Sequence, residues 1–433
     1  MTPKKLHEFG DGILRTHVTW EEIQEKVKEH FGEKAVFGPN KTATSIGDGR
    51  GFMSKMCLVD PDWSEETEAP KKFILKIPSQ ITMVEVCEKM KIVRSTTPNP
   101  VTQEEENQFM QMVDSMTLVV KNIHNTEVMM YDLLQKHHTD VPRPQIFASL
   151  AFETDDAEKG YLLMEYKENS LNLNIYDNIT VEDVKQALRG IAALEVASLN
   201  FTEEEAAILH TNRLKEFINT MVSDQSSGQI ITELKGFGGH LFLEKIDELE
   251  KLLKVLMDDV NSEEDPMTEL GKSLGMKKVL VHGDCWSTNF LWRKKENSED
   301  LVLAAMVDFQ TCHMGHPASD LFRLFAASLS GKDRKAHWEE LAEYFYSSLL
   351  EQLNGSEAPY TLEQLKENYR QYTPLGCLYI IPMILPIMQM NQANPDPETK
   401  EKVQNLALEK VEGLLDDLLK GHKYNIERKK RSA

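Results

Sequence analysis

The amino-acid sequence predicts an α+β protein with two lobes, a β-rich N-terminal lobe and a mostly helical C-terminal lobe. Three observations support this prediction. Residues 43–77 alternate short apolar runs with turn residues, as an antiparallel meander does. Residues 180–275 place apolar side chains mainly at helical spacing, as does most of the chain after residue 310. Between these stretches, residues 277–310 return to short apolar runs with polar loops attached. We therefore expect two lobes with a cleft between them.

The N-terminal lobe, residues 1–166, is expected to begin with a helix and continue as strands. Thr19 is a suitable N-cap for a helix over 19–31, because the residues that follow it place apolar side chains at helical spacing. The meander then runs as strand, glycine-rich turn and strand, followed by an acidic loop and the strand KFILKIP. Two further strands are predicted in VPRPQIFASLAFE and GYLLMEYKEN.

Helices are expected on both sides of the lobe boundary. Thr102 and Glu105 have the spacing of a capping box, which predicts helical structure through 104–136, in two helices. The C-terminal lobe, residues 167–433, begins with a strongly amphipathic helix from Thr180 onward. The remainder of this lobe is predicted to be helical apart from the small β insert.

Composition and charge exclude several classes of partner. The 433 residues contain 49 Lys and Arg against 70 Asp and Glu, a net charge of −21. Because phosphate backbones are bound by clustered basic side chains, nucleic acid is not expected as a partner. The five cysteines form no CxxC pair, so we expect no disulfide framework and a cytoplasmic location. No pattern in the sequence predicts an oligomeric state.

The most apolar stretch of the chain covers residues 374–390. It is shorter than the roughly 20 residues that a membrane-spanning helix needs, and Pro382 and Pro386 interrupt it. We therefore expect a buried helix or helix pair here, and no membrane span.

The clearest chemical signature is the order His282, Asp284, Asn289 and Asp308. Magnesium prefers oxygen ligands and usually takes one or two from the protein, which suits Asn289 and Asp308 in loops beside apolar strands. Asp284 would then lie near the metal while remaining free to accept a proton from a hydroxyl group. Alternatively, His-x-Asp is a turn with an Asx cap and Asp308 ends a strand. The occurrence of all of these residues in order favours a functional site.

The N-terminal lobe contains candidate phosphate-binding groups. Gly47, Gly49 and Gly51 lie in a turn whose backbone N–H groups can approach phosphates, although such a stretch is also common in hairpins. Lys76 is a polar residue within an apolar strand and would contact α- and β-phosphates if it faces the cleft. Glu127, on a later helix, is the best candidate for the carboxylate that holds it. A half-exposed strand lysine and a solvated helix glutamate are the alternatives.

Two residues mark the passage between the lobes. Glu165 and Lys167 end the strand YLLMEYKEN, and backbone groups at such a crossing can bind an adenine edge. Asp320, in GHPASDLFRLF, is interpreted first as structural, with a carboxylate that braces the loop.

The order of these motifs resembles that of protein-kinase-like phosphotransferases. HGDCWSTN followed by VDFQ and G-x-P-x-x-D-L resembles the choline-kinase and aminoglycoside-phosphotransferase branch, and most closely the ecdysteroid-kinase-like (CHK kinase-like) family. The resemblance covers roughly residues 43–325. It implies a bilobal protein-kinase-like fold, in which residues 1–166 bind the nucleotide and residues 167–433 carry the catalytic residues and bind the acceptor.

The resemblance also implies a role for each candidate residue and the cofactors ATP and magnesium. Asp284 corresponds to the catalytic base, His282 supports its loop, and Asn289 and Asp308 correspond to the magnesium ligands. The nucleotide-positioning residues that it implies are Lys76 with Glu127, the turn containing Gly47, Gly49 and Gly51, and the hinge residues Glu165 and Lys167. The expected acceptor is a hydroxyl group of a small molecule, such as a steroid-like compound, an amino alcohol or a glycoside.

The sequence departs from the family pattern at two positions and leaves two other functions open. Cys285 replaces a more usual aliphatic residue, and Glu195 replaces a frequent histidine. One alternative is a catalytically inactive kinase fold that serves as a binding or scaffold protein. The other is a metal-dependent hydrolase, although the histidines near the site lack HExxH spacing.

Overall fold

The chain folds as two units, one of which contains most of the predicted N-terminal lobe. The first consists of Met1–Leu133 and Pro144–Glu168, and the second of Leu134–Arg143 and Asn169–Ala433. The computed structural model describes residues 5–46, 53–95, 101–209, 224–260, 266–298, 300–392 and 396–432.

A five-stranded antiparallel sheet forms the centre of the first unit. Its strands are β1 (Thr42–Ser45), β2 (Ser54–Asp60), β3 (Phe73–Pro78), β4 (Ile146–Leu150) and β5 (Tyr161–Glu165), in the spatial order β1-β2-β3-β5-β4. Every residue of β3 is buried, because this strand is central in the sheet and consists almost entirely of apolar side chains. The predicted meander and the two later strands are confirmed.

Four helices accompany this sheet in the sequence. They are α1 (Trp20–Phe31), α2 (Ile81–Arg94), α3 (Gln103–Ser115) and α4 (Thr117–Lys136). Thr19 and Thr102 each form a capping box with the glutamate three residues later, so two orphan N–H groups are satisfied at each helix start. The predicted start of α1 and the predicted pair of helices over 104–136 are confirmed.

The second unit is mostly helical. Its helices are α5 (Val181–Ser198), α6 (Glu203–Ile208), α7 (Asp224–Val260), α8 (Pro266–Ser273), α9 (Ala318–Ser328), α10 (Gly331–Leu353), α11 (Leu362–Gln392) and α12 (Pro397–Ser432). Helix α9 is buried along nearly its whole length. The predicted division into a β-rich first part and a helical second part is confirmed.

The β insert of the second unit consists of two antiparallel ribbons. Strand β6 (Val279–Val281) pairs with β9 (His313–Gly315), and β7 (Phe290–Lys294) pairs with β8 (Leu301–Met306). The sequence predicts two short apolar strands over residues 277–310, whereas the insert has these four strands, and β9 in particular is not predicted. A three-residue strand that contains His and Gly has no alternating pattern that distinguishes it from a loop.

Helix α11 is a single helix that runs through Pro382 and Pro386, in the region where a helix or a helix pair is predicted. A proline removes one backbone hydrogen bond, but the helix is retained here because most of its apolar side chains are buried against other helices. Within the described ranges, no helix combines the length and the apolar character needed to cross a membrane.

Candidate active site

The loop His282–Asp284 follows strand β6 and is held by Asp320 at the start of α9. The backbone N–H of His282 donates to Oδ2 of Asp320 at 2.7 Å, and that of Gly283 donates to Oδ1 at 2.8 Å. Gly283 has φ +81°, and a Cβ at this position would lie 2.6 Å from the carbonyl oxygen of Thr311. The loop therefore requires glycine here. The predicted bracing of the loop by Asp320 is confirmed.

The side chain of His282 lies within the protein and connects the loop to the end of β8. The backbone N–H of Asp284 donates to Nδ1 of His282 at 3.3 Å, so Nδ1 acts as the acceptor. The ring proton is then on Nε2, which lies 3.0 Å from the carbonyl oxygen of Val307. His282 thus fixes the geometry of the loop and has no free nitrogen with which to contact a substrate.

Asp284 is held on both carboxylate oxygens. Arg323 Nη1 donates to Oδ1 at 3.0 Å, and Asn289 Nδ2 donates to Oδ2 at 3.0 Å. Burial raises the pKa of Asp284, the Arg323 guanidinium lowers it, and the carboxylate of Asp308 raises it again. The resulting increase in pKa makes the carboxylate a stronger base than an exposed aspartate.

The two predicted magnesium ligands lie at the same end of the β7–β8 ribbon. Phe290 pairs with Met306, and the backbone N–H of Val307 donates to the carbonyl oxygen of Asn289 at 3.0 Å. Asn289 and Asp308 therefore flank the paired residues. Asp308 has φ +68° and lies close enough to Asp284 to affect its pKa.

This donor set suits magnesium. The amide nitrogen of Asn289 is engaged by Asp284, so its amide oxygen is the atom available to a cation. One amide oxygen and one carboxylate match the small number of protein ligands that magnesium takes when phosphates supply the rest. In the described part of the chain, no group of three or more His, Cys, Asp and Glu is arranged to hold a metal without a substrate.

In the first unit, Lys76 and Glu127 form a buried ion pair. Lys76 on β3 lies 2.6 Å, Nζ to Oε2, from Glu127 on α4, and the two side chains are only 7% and 1% exposed. One helical turn before Glu127, His124 Nε2 donates a hydrogen bond to the carbonyl oxygen of Leu150 at 2.8 Å. Burial, together with a smaller effect of the neighbouring Lys76, lowers the pKa of His124 to about 4. His124 is thus neutral at physiological pH and does not compete with Lys76 for Glu127.

Glu165 and Lys167 lie next to the boundary between the units, which falls between Glu168 and Asn169. Lys167 Nζ contacts Glu165 Oε2 at 2.7 Å, and the same oxygen accepts from the backbone N–H of Gln145 at 3.1 Å. The glycine-rich turn with Gly47, Gly49 and Gly51 lies outside the described residues. Ser45 and Cys57, on the strands that flank it, are paired.

Arg323 is the site residue that the sequence analysis missed. It packs with its guanidinium carbon 5.1 Å from the centre of the Trp286 ring, which orients it towards Asp284. Its position three residues after Asp320 places both residues on one face of α9. A basic residue inside the apolar run DLFRLFAA was the available signal, since a buried arginine requires an acidic partner.

A family model described as "Uncharacterized oxidoreductase dhs-27" (DUF1679) matches residues 6–426. An uncharacterized kinase-like protein of Caenorhabditis elegans is 28% identical over 153 residues, which is 34% of this chain and 39% of the relative. The uncharacterized oxidoreductase dhs-27 of the same organism is 20% identical over 360 residues, 82% of this chain and 40% of the relative. The chain thus spans about two fifths of the length of these curated relatives. The relationship to kinase-like proteins that the motifs predict is confirmed.

Among solved structures, the choline kinase of Cryptosporidium parvum is similar, with 12% sequence identity and a TM-score of 0.48. The superposition covers 94% of this chain and 96% of that chain.

Proposed function

The chain belongs to the DUF1679 family, and we propose that it is an ATP- and magnesium-dependent phosphotransferase that acts on a hydroxyl group of a small molecule. The observation that carries the proposal is the arrangement of Asp284, Asn289 and Asp308 around one end of the β7–β8 ribbon. Phosphoryl transfer depends on positioning and charge neutralisation more than on a nucleophilic side chain, and these three residues supply a base and two oxygen ligands.

The first unit supplies groups suited to a nucleotide. Lys76 is a buried cation, fixed by Glu127 at 2.6 Å, and its charge would neutralise phosphate oxygens. The turn with Gly47, Gly49 and Gly51 would add backbone N–H donors. We assign the adenine contact to the backbone near Glu165 and Lys167, whose side chains pair with one another and leave the backbone groups to bind the base.

The second unit supplies the chemistry at the acceptor. Asp284 would orient the acceptor hydroxyl and accept its proton, and Asp320, Arg323 and His282 hold Asp284 in place for that step. Asn289 and Asp308 would hold the magnesium ion, which when bound offsets charge on the β- and γ-phosphates. The raised pKa of Asp284 favours proton transfer once a hydroxyl group is seated beside it.

The word "oxidoreductase" in the family description comes from the name of a relative. The matched region covers only 40% of that relative's length. All strand pairings in the described ranges are antiparallel, whereas dinucleotide-dependent oxidoreductases of the Rossmann type bind their cofactor on a parallel sheet. The phosphotransferase proposal therefore fits this chain better. No disulfide joins the five cysteines, all of which lie within the described ranges, and we propose a reducing compartment such as the cytoplasm.

Nucleotide binding can be tested separately from turnover. We expect ATP to raise the midpoint of thermal unfolding of the wild-type protein only when magnesium is present, because binding to the folded state alone stabilises it. Lys76→Met should remove this shift. Exposed Lys71→Met, which lies just before β3, is the matched control and should keep it. Absence of any shift with any nucleotide would remove the kinase interpretation.

Turnover is tested by an ATP-consumption screen against hydroxylated steroids, amino alcohols and glycosides. Asp284→Asn should lower turnover of the best acceptor by about 10²-fold or more, the range for loss of a general base, while the ATP–magnesium shift is retained. If the wild-type protein binds ATP but transfers phosphate to none of these acceptors, the scaffold alternative gains support. Intact turnover in Asp284→Asn would show that the assigned base is wrong.

A further inference from the structure

Helices α9, α10, α11 and α12 line an open cavity of about 210 Å³ that contains none of the predicted site residues. Its lining is aromatic and basic. The aromatic residues are Phe322, Trp338, Tyr369 and Tyr424, and the charged residues are Arg334, Lys335, Arg370, Lys420 and Asp417. Four cationic side chains therefore line this cavity together with a single carboxylate.

The cation that is buried most deeply is only partly satisfied. Arg334 is 1% exposed and donates through Nε and Nη2 to the same oxygen, Oδ2, of Asp417, at 3.1 Å and 2.9 Å. Its Nη1 is also buried and has no hydrogen-bond partner among the described residues. Because a buried guanidinium nitrogen without an acceptor is costly, the site suits an acceptor that the described residues do not provide.

The two lysines of the cavity add to this positive charge. Lys335 and Lys420 lie side by side, and the contact with Lys335 lowers the pKa of Lys420. Asp416 contacts Lys335 at 3.8 Å through Oδ2 and Lys245 at 2.9 Å through Oδ1, while Asp417 pairs with Arg334. The cations near the cavity thus outnumber these two carboxylates. Two neighbouring ammonium groups repel each other unless an anion lies between them.

The aromatic side chains define the rest of the ligand. Trp338 and Tyr369 stack with ring centres 4.8 Å apart, and Phe322 packs against Tyr369 at 5.8 Å. Such a wall favours a flat apolar group and does not favour a strongly hydrated ion by itself.

We propose that this cavity is a binding site for a small organic anion with a flat apolar body and one anionic head group. The head group would lie at Arg334, Lys335 and Lys420, and the body against Trp338 and Tyr369. A carboxylate, a sulfate ester and a phosphate ester share this chemistry. The site is separate from the loop around Asp284, because Phe322 of α9 lines the cavity whereas its neighbour Arg323 contacts Asp284.

Calorimetric titration with phenyl phosphate, in the absence of nucleotide and magnesium, tests the proposal. We expect one saturable site in the wild-type protein, and affinity at least about tenfold lower for inorganic phosphate and for benzyl alcohol, which each carry half of the required chemistry. Equal affinity for inorganic phosphate or for benzyl alcohol would overturn the proposal.

Two charge reversals on α12 locate the site. Lys420 and Lys423 are both exposed and lie three residues apart, but only Lys420 lines the cavity. Lys420→Glu should weaken phenyl phosphate at least about tenfold, while Lys423→Glu should stay within about twofold of the wild type. Equal weakening of binding in both variants would contradict the assignment, and so would unchanged binding in both. Unchanged binding in both is the result expected if phenyl phosphate binds at the proposed nucleotide site.

Discussion

Glu195, in the middle of α5, is a carboxyl group enclosed by the protein. The side chain is fully buried, Oε2 accepts a hydrogen bond from the hydroxyl of Tyr360, and Oε1 has no partner among the described residues. Burial raises the pKa of Glu195 well above its ordinary value. Burial therefore favours the protonated, uncharged form of this carboxyl group in the folded protein.

Substitution of Glu195 by glutamine should stabilise the protein in a pH-dependent manner. Above the ordinary pKa of 4.5, the unfolded wild type loses a proton that the folded wild type retains, so its stability falls as pH rises. Glu195→Gln removes this loss. The free energy of unfolding of the variant, relative to that of the wild type, should therefore grow by up to about 1.4 kcal/mol per pH unit above pH 4.5. Urea unfolding at a series of pH values measures the difference.

The matched control is Glu182→Gln on the first turn of the same helix, where the side chain is mostly exposed. Its stability should follow that of the wild type across the pH range. Parallel curves for Glu195→Gln and the wild type would show that the carboxyl group ionises in the folded protein.

Helix α9 connects the catalytic loop to the helical core and is held near both ends. Asp320 in its first turn accepts from the backbone N–H groups of His282 and Gly283. At its other end, Lys410 of α12 donates to the carbonyl oxygens of Ala327 at 3.1 Å and Leu329 at 2.6 Å. These carbonyl groups lie in the last turn of α9 and at its C-cap, where no backbone partner is available within the helix.

The contact at Lys410 should give a second, opposite pH dependence. Burial lowers the pKa of Lys410 to about 7 from its ordinary value of 10.5. Between these values the unfolded chain binds more protons than the folded protein, so stability of the wild type rises with pH. Lys410→Met abolishes this rise, so the stability of the wild type relative to the variant should increase from about pH 7 to about pH 10.

Urea unfolding of both proteins over this pH range is the measurement. Exposed Lys402→Met, about two helical turns earlier on α12, should retain the slope of the wild type. A constant difference between Lys410→Met and the wild type would mean that Lys410 stays protonated in the folded protein.

Local patterns explain which elements the sequence predicts and which it does not. The capping boxes at Thr19 and Thr102 involve residues three positions apart, so the sequence alone places both helix starts. Strand β9 is three residues long and exists because β6 supplies its partner, which no local pattern shows. The continuity of α11 through three prolines, Pro374, Pro382 and Pro386, likewise depends on packing against neighbouring helices.

For the candidate active site, too, local sequence patterns predict some features and not others. Asp284, Asn289 and Asp308 can be recognised from the sequence because they lie close together in the chain, each shortly before or after an apolar strand. The contact between Lys76 and Glu127 joins residues 51 positions apart, so the sequence nominates both residues but does not give their distance. Arg323 was missed because its partner Asp284 precedes it by 39 residues and belongs to a different element.

The charge of the whole chain is far from balanced. Acidic residues exceed basic residues by 21, and many of the ion pairs in the structure lie on exposed side chains, such as Lys277 with Glu357. Exposed pairs contribute about 0–1 kcal/mol each, so they offset little of the repulsion among the surplus carboxylates. Self-repulsion therefore destabilises the folded state at low ionic strength.

Raising the ionic strength should consequently stabilise this protein. Between about 0.01 M and 0.15 M salt the Debye length falls from about 30 Å to about 8 Å, which screens the long-range repulsion but leaves buried pairs such as Lys76–Glu127 nearly unaffected. We expect the midpoint of thermal unfolding to rise by a few degrees with potassium chloride, measured with a metal chelator present so that magnesium binding does not contribute. The rise should level off once the Debye length is shorter than the spacing of the surface carboxylates. A midpoint that falls with salt would mean that the exposed ion pairs outweigh the repulsion of the 21 surplus acidic groups.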